Sequence, residues 1–295
     1  MIEIRTMQGT PLERTRKIPL NNLNNNTLIV GSSGTGKSSL MRELEQSLNP
    51  KLKLIFKADG ERALNIARNR PFIAADKKNF ADAWKTTTDA SAIGYMLIQE
   101  QIIIEQTRKE GQTLNQLKTE LRKRQKETER INAPVYELIL NRLEHLYPTY
   151  SGELRAEGKL SMEELTEEEY LFFSDYILRT AYEQLQQEII SIDEIHRLSP
   201  LLNTTIGRLA REIRSRGAIL ATTQSLSDLP SALINNFATI FCFQTLDSRD
   251  LQLFQLIDKE LAADILKLDT HEFLELRSYA RKKTEGLLSK MELIL

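Results

Sequence analysis

Two short stretches carry residue types that could do chemistry together. The first is Gly31-Ser32-Ser33-Gly34-Thr35-Gly36-Lys37-Ser38-Ser39, which contains the spacing G-x-x-x-x-G-K-[ST]. Glycines at those intervals let the backbone curl until successive N–H groups point inward and form a nest for anionic oxygens. In that nest Lys37 reaches the β- and γ-phosphates of a nucleoside triphosphate, and the Ser38 hydroxyl holds Mg²⁺. The second stretch is Ile189-Ile190-Ser191-Ile192-Asp193-Glu194, an apolar run ending in two carboxylates. Triphosphate hydrolysis needs one acid to position the metal's hydration shell and another to orient the attacking water. Asp193, acting through water, and Glu194 are the candidates for those roles, because adjacent side chains at a strand's end diverge.

The flanking elements are those such a loop needs. Leu28 to Val30 reads as a buried strand, and Lys37 to Leu48 as a helix whose N-terminal dipole lies under the phosphates. A second buried strand is expected over Leu52 to Phe56, and a third over Phe72 to Ala75. From Lys77 to Gln187 apolar residues recur at helical spacing. Thr88-Asp89 caps one helix, a charged helix spans Leu114 to Arg130, Pro134 sits in the first turn of another, and Thr166-x-x-Glu169 is a capping box. Strand and helix then alternate again: strands over Glu188–Ile192, Ala218–Thr223 and Ala238–Phe243, with a helix over Leu201–Arg216 between the first two. Helices over Asp247–Leu256 and Lys259–Leu266 precede terminal strands over Phe273–Arg277 and Leu287–Ile294. The expectation is an α/β fold with a mainly parallel sheet covered on both faces, divided into 1–76, a helical insertion over 77–187, and 188–295.

Bulk properties narrow the choices. A hydrophobic content of 41% suits a soluble protein with a real core, and no window approaches the ~20 apolar residues of a membrane span. The single cysteine, Cys242, excludes an internal disulfide and fits a reducing, cytoplasmic setting. The formal net charge of −1 means that any nucleic-acid contact must be local or assembled from several subunits. The most basic run, Lys118 to Arg130, is interspersed with Glu120, Glu127 and Glu129 and reads first as a solvated helix face.

Three runs carry a resemblance: Asp193-Glu194-Ile195-His196-Arg197-Leu198, Leu209 to Gly217, and Leu220 to Pro230 with its Thr222-Thr223-Gln224. Together with the phosphate loop, these resemble the HerA–FtsK superfamily, and most nearly its HerA branch. The resemblance covers residues 27–61 and 188–257 and does not extend to 77–187. It implies a RecA-like P-loop NTPase core that binds ATP and Mg²⁺ and closes as a homo-oligomer, a hexameric ring, to drive double-stranded DNA through its pore. A nuclease or another effector protein would be a further partner. Gln224 matches the family's polar sensor beside the Walker B strand, and Arg214 its trans-acting arginine, with Arg211, Arg216 and Arg249 as rivals. Two departures stand out. Lys57-Ala58-Asp59-Gly60-Glu61 replaces the D-P-H-G-E of the HerA branch, and the 26 residues before the loop cannot encode that branch's N-terminal barrel. A AAA-like protein remodeller, or a scaffold assembled by ATP without translocation, is the rival expectation.

Overall fold

The computed structural model describes residues 2–3, 17–18, 26–56, 64–65, 77–87, 94–109, 112, 114–128, 132–146, 157–163, 165–186, 188–213, 216–257, 260–277 and 292–294. The expected strand at 72–75, the 57–61 segment, the cap at 88–89 and Arg214 lie outside these residues. The chain forms two compact units, Met1–Lys53 with Leu185–Leu295, and Leu54–Gln184.

Along the chain, β1 (Ile2–Glu3) pairs antiparallel with β2 (Lys17–Ile18) in a ribbon of its own. Next come β3 (Thr27–Val30), α1 (Lys37–Leu48) and β4 (Leu52–Ile55). The second unit supplies β5 (Leu64–Asn65), α2 (Lys77–Thr87), α3 (Gly94–Thr107), α4 (Leu114–Glu127), α5 (Ala133–Leu146), β6 (Gly158–Ser161) and α6 (Glu167–Gln184). The chain then returns through β7 (Glu188–Ile192), a 3₁₀ turn (Ile195–Leu198), α7 (Ser199–Leu202), α8 (Thr205–Glu212) and β8 (Gly217–Thr223). It closes with α9 (Ser231–Ile234), β9 (Thr239–Phe243), α10 (Ser248–Ile257), α11 (Leu261–Lys267), β10 (Phe273–Arg277) and β11 (Glu292–Ile294).

In the first unit the strand order is β11-β10-β9-β3-β8-β7. β3 runs parallel to both β8 and β9, β7 runs parallel to β8, and β10 and β11 continue the sheet antiparallel. All seven residues of β8 are buried, as a strand covered on both faces requires. Leu40, Met41 and Leu44 of α1 pack on Ile29, Ile189, Leu220, Phe241 and Phe243 from four neighbouring strands. Inside this core the buried Glu45 and Lys53 pair with each other, and Ser191 donates to Glu45. Each buried charge therefore has an opposite partner.

Asn26 is the joint at the entrance to β3. Its side chain accepts the Ile219 N–H at 2.9 Å and donates to Ala210 O at 2.7 Å and Asn236 O at 3.0 Å, while itself 1% exposed. It thus ties β8, α8 and α9 to the strand that carries the phosphate loop. Asn26→Leu leaves three backbone groups of the interior unpaired and should cost about 3 kcal/mol, read as a lower urea midpoint at unchanged m, whereas a loss below about 1 kcal/mol would contradict this account.

The second unit has an aromatic core, with Phe80 and Phe172 edge to face at 5.2 Å and Trp84 Nε1 donating to Glu100 Oε2 at 3.2 Å. Burial pushes the Arg108 guanidinium down to about 10, and it lies 4.9 Å over the Phe80 ring while donating to Gln112 O. The expected capping box closes α6, with Thr166 N–H on Glu169 Oε2 at 2.8 Å and Glu169 N–H on Thr166 Oγ1 at 3.4 Å. On α4, Leu117 and Leu121 face inward, Arg122, Lys123 and Lys126 are exposed, and Arg124 pairs with Glu120.

Two expectations need correction. The 77–187 stretch is not purely helical: β6 lies within it and pairs parallel with β5, and Met162 N–H bonds Ile55 O at 2.7 Å. Four residues led by Gly158, in the left-handed region at φ 82°, give too short a pattern to read as a strand. The helix expected over Leu201–Arg216 is broken into α7 and α8, because Thr204 sits at φ −108°, ψ −103°, outside helical geometry.

Candidate nucleotide site

The site is built at the carboxyl ends of β3, β8 and β7, where the apolar strands give out and the polar loops begin. β3 empties into Gly31, whose φ of 151° favours glycine and whose missing Cβ would lie 2.6 Å from Phe243 Cβ. Gly34 and Gly36 are also in positive-φ conformations, and a Cβ on Gly36 would meet the His271 ring at 2.6 Å. The glycine spacing therefore answers both to backbone curvature and to two neighbours from the carboxyl-terminal part of the chain.

The loop is pinned from outside. Ser32 N–H bonds Gln244 O at 2.9 Å, Thr35 O accepts from His271 N–H at 2.8 Å, and Thr35 Oγ1 closes back on Ser32 O at 2.8 Å. The N–H groups of Gly34, Thr35, Gly36, Lys37 and Ser38 find no acceptor among the described residues, although they crowd the first turn of α1. A cradle of unsatisfied donors at a helix N-terminus fits a polyphosphate. Lys37 arches across the cradle to Ser32 O at 2.7 Å and is 7% exposed. Burial lowers its ammonium from the ordinary lysine range, and the carboxylates of Glu194 and Asp193 push back against that shift. Ser33 and Ser38 are exposed, and Ser39 is half-buried.

The opposite wall comes from β7 and β8. Asp193 and Glu194 follow β7 directly, and Glu194 takes the left-handed conformation, φ 50°, ψ 53°, a strained geometry for a residue with a side chain. The end of β8 holds this turn. Thr222 Oγ1 donates to Asp193 Oδ1 at 2.7 Å and accepts the Glu194 N–H at 2.9 Å. Gln224, one residue beyond β8, donates from Nε2 to Glu194 Oε2 at 3.1 Å. Because β8 lies between β3 and β7, Gln224 stands on the strand interposed between the phosphate cradle and the acidic turn. Behind it, the fully buried Asp250 accepts both Ser225 Oγ and Ser227 N–H at 2.8 Å and so braces the 224–227 loop. Asp193 Oδ1 is oriented by Thr222 while its side chain stays partly open, and the Ser38 hydroxyl is exposed; both are hard oxygen donors of the kind a divalent cation takes.

A glycine-rich cradle between strand and helix, with an Asp-Glu turn two strands away on a parallel sheet, defines the core of a P-loop nucleoside triphosphatase. No family model matches the sequence, and no curated protein matches it by sequence. In three dimensions the chain is similar to the plasmid coupling protein TrwB in complex with the non-hydrolysable ATP analogue ADPNP (TM-score 0.63, 13% identity, 94% of this chain and 86% of that one). It is similarly close to TrwB in complex with ADP and Mg²⁺ (TM-score 0.62, 12% identity, with the same coverage). VirB4 of Thermoanaerobacter pseudethanolicus gives a TM-score of 0.60 at 13% identity over 90% of this chain and 89% of that one. The likeness is one of fold: the chain shares the α/β P-loop fold of the TrwB and VirB4 structures, as its motifs lead one to expect.

The structure brings together Lys37, Asp193, Glu194 and Gln224; of the described arginine candidates, Arg211, Arg216 and Arg249, none is joined to them by a hydrogen bond or ion pair. Arg211 on α8 is exposed on the side away from the buried Ile206, Leu209 and Ala210, and Arg216 just before β8 is exposed as well. Arg249 is engaged within its own chain, by Asp247 at 2.8 Å and Asp228 at 3.6 Å. Sequence reasoning passed over Thr222, Thr223, His196, Asp250 and His271 as site residues. The Thr222-Thr223 pair, two hydroxyls at the end of an apolar strand next to Gln224, and His196, in the run that begins Asp193-Glu194, carried signals that could have pointed to the site.

Proposed function

We propose that this chain is an ATP-hydrolysing cytoplasmic motor, HerA-like, that assembles as a hexameric ring and translocates or pumps double-stranded DNA. The observation that carries the hydrolytic half is the acidic turn: Asp193 and Glu194 are fixed by Thr222, and Glu194 is engaged by the Gln224 side chain beside an unsatisfied phosphate cradle. In this reading residues 31–39 bind ATP, Lys37 binds its terminal phosphates, and Ser38 and Asp193 hold Mg²⁺, Asp193 through water. The metal, when bound, neutralises charge developing on the phosphate oxygens. Glu194 takes the proton of the attacking water. Gln224 senses whether the γ-phosphate is present, and Arg214 reaches the cradle of the neighbouring subunit.

The fold shared with a plasmid coupling protein favours DNA as the load over protein, the substrate of a AAA-like remodeller. Duplex DNA should raise the ATPase rate severalfold and native mass should show six subunits, whereas an assembly scaffold would show neither stimulation nor a closed ring. Shared sites make a further prediction. Arg214→Ala should lower turnover by ~10³-fold, the scale of a lost trans-acting arginine, and mixing with Glu194→Gln subunits should restore part of it. Absence of rescue would remove Arg214 from the trans role.

A further inference from the structure

A second device is built into the acidic turn. His196 lies in the 3₁₀ turn that follows it, with Nε2 3.3 Å from Glu194 Oε2 and Nδ1 3.3 Å from Thr223 Oγ1. The Thr223 hydroxyl has a single proton, and that proton goes to Ser225 O at 3.0 Å. Thr223 must therefore accept from His196, which makes Nδ1–H the donor. Nε2, on the other side of the ring, lies against Oε2 at 3.3 Å. Oε2 is thus held between Gln224 Nε2, which donates to it, and the His196 ring edge, while Oε1 has no described partner.

We propose that His196 is the positioning residue of hydrolysis: held by Thr223, it pins Glu194 Oε2 and so turns Oε1 toward the attacking water. This rests on the reading of Glu194 as the group that activates water, and it adds a mechanical consequence. Thr223 is hydrogen-bonded to the 224–227 loop through Ser225 O, so the same imidazole links the Glu194 carboxylate to the loop that carries Gln224. A shift of that loop loosens Thr223, and with it the rotamer of Glu194.

The test separates the two nitrogens. Glutamine places an amide near the position of Nε2, and asparagine near that of Nδ1. His196→Ala should lower kcat for ATP about 10- to 100-fold while KM stays within about twofold, the pattern of a lost orientation rather than lost binding. His196→Gln should recover most of the turnover and His196→Asn should not. Wild-type kcat in His196→Ala, or equal rescue by both amides, overturns the proposal. A second measurement does not depend on activity. The chain has three histidines, so the ring ¹⁵N resonances of His196 can be assigned by difference. Protonated Nδ1 is expected, with its signal changed by Thr223→Val; an unprotonated Nδ1 overturns the proposal even if the variants fail to fold. If wild-type protein hydrolyses no nucleotide, the hydrolytic reading of Glu194 fails, and the resonances still decide how His196 is held.

Discussion

Lys37→Ala loses nucleotide binding. The side chain is buried, its ammonium bridges the loop to Ser32 O, and it carries the one positive side-chain charge within residues 31–39. Removing it takes away the ammonium that would face the β- and γ-phosphates and also the arch that holds the loop in shape. Truncating one member of a desolvated charge pair typically costs 2–5 kcal/mol, so affinity for a fluorescent ATP analogue should fall about 100- to 1,000-fold. Lys37→Arg is expected to fail as well, because a planar guanidinium does not fit where a compact ammonium is enclosed by the loop. Undiminished binding in Lys37→Ala would mean that the cradle is not a phosphate site.

The second large effect separates binding from chemistry. In Glu194→Gln the amide oxygen still accepts from Gln224 and the backbone N–H still bonds Thr222, so the turn keeps its geometry and the cradle is untouched. The amide has no basicity with which to take a proton from water. Turnover should drop by ~10³-fold, within the range for loss of a positioned base, while the affinity for ATP stays near wild type. The variant is expected to accumulate as an ATP-bound assembly, seen as a stable high-mass species by native mass spectrometry. Retained turnover would transfer the role of base to another residue, and the neighbouring Asp193 would be the first to test.

What could be read from the sequence follows a physical pattern. The phosphate loop was legible because its chemistry constrains backbone conformation, and only glycine meets those constraints at 31, 34 and 36. β7, β8 and β9 were legible as largely apolar runs, since strands covered on both faces have no polar side to blur the pattern. The capping box at Thr166 was legible because it is local. What could not be read is what distant residues do to each other. Asn26 looked like the end of a polar loop, yet its three partners lie between 184 and 210 residues away. The left-handed backbone of Glu194 depends on a hydroxyl supplied by Thr222, and no pattern within residues 189–194 encodes it. Arg249, expected as a rival for the trans role, is tied to Asp247 and Asp228 by an arrangement that spacing alone does not reveal.

The outside pins of the phosphate loop, Gln244 and His271, bear on how the protein is made. The loop is translated well before the residues that hold it, which come from beyond β9 and just before β10. On the ribosome the glycine cradle must wait, without its final shape, until Gln244 and His271 have emerged. Closing contacts over such separations is entropically slow. A nascent chain stalled in the second unit would therefore carry the nucleotide motif without the contacts that shape it, and the cradle would form only after β9 had emerged.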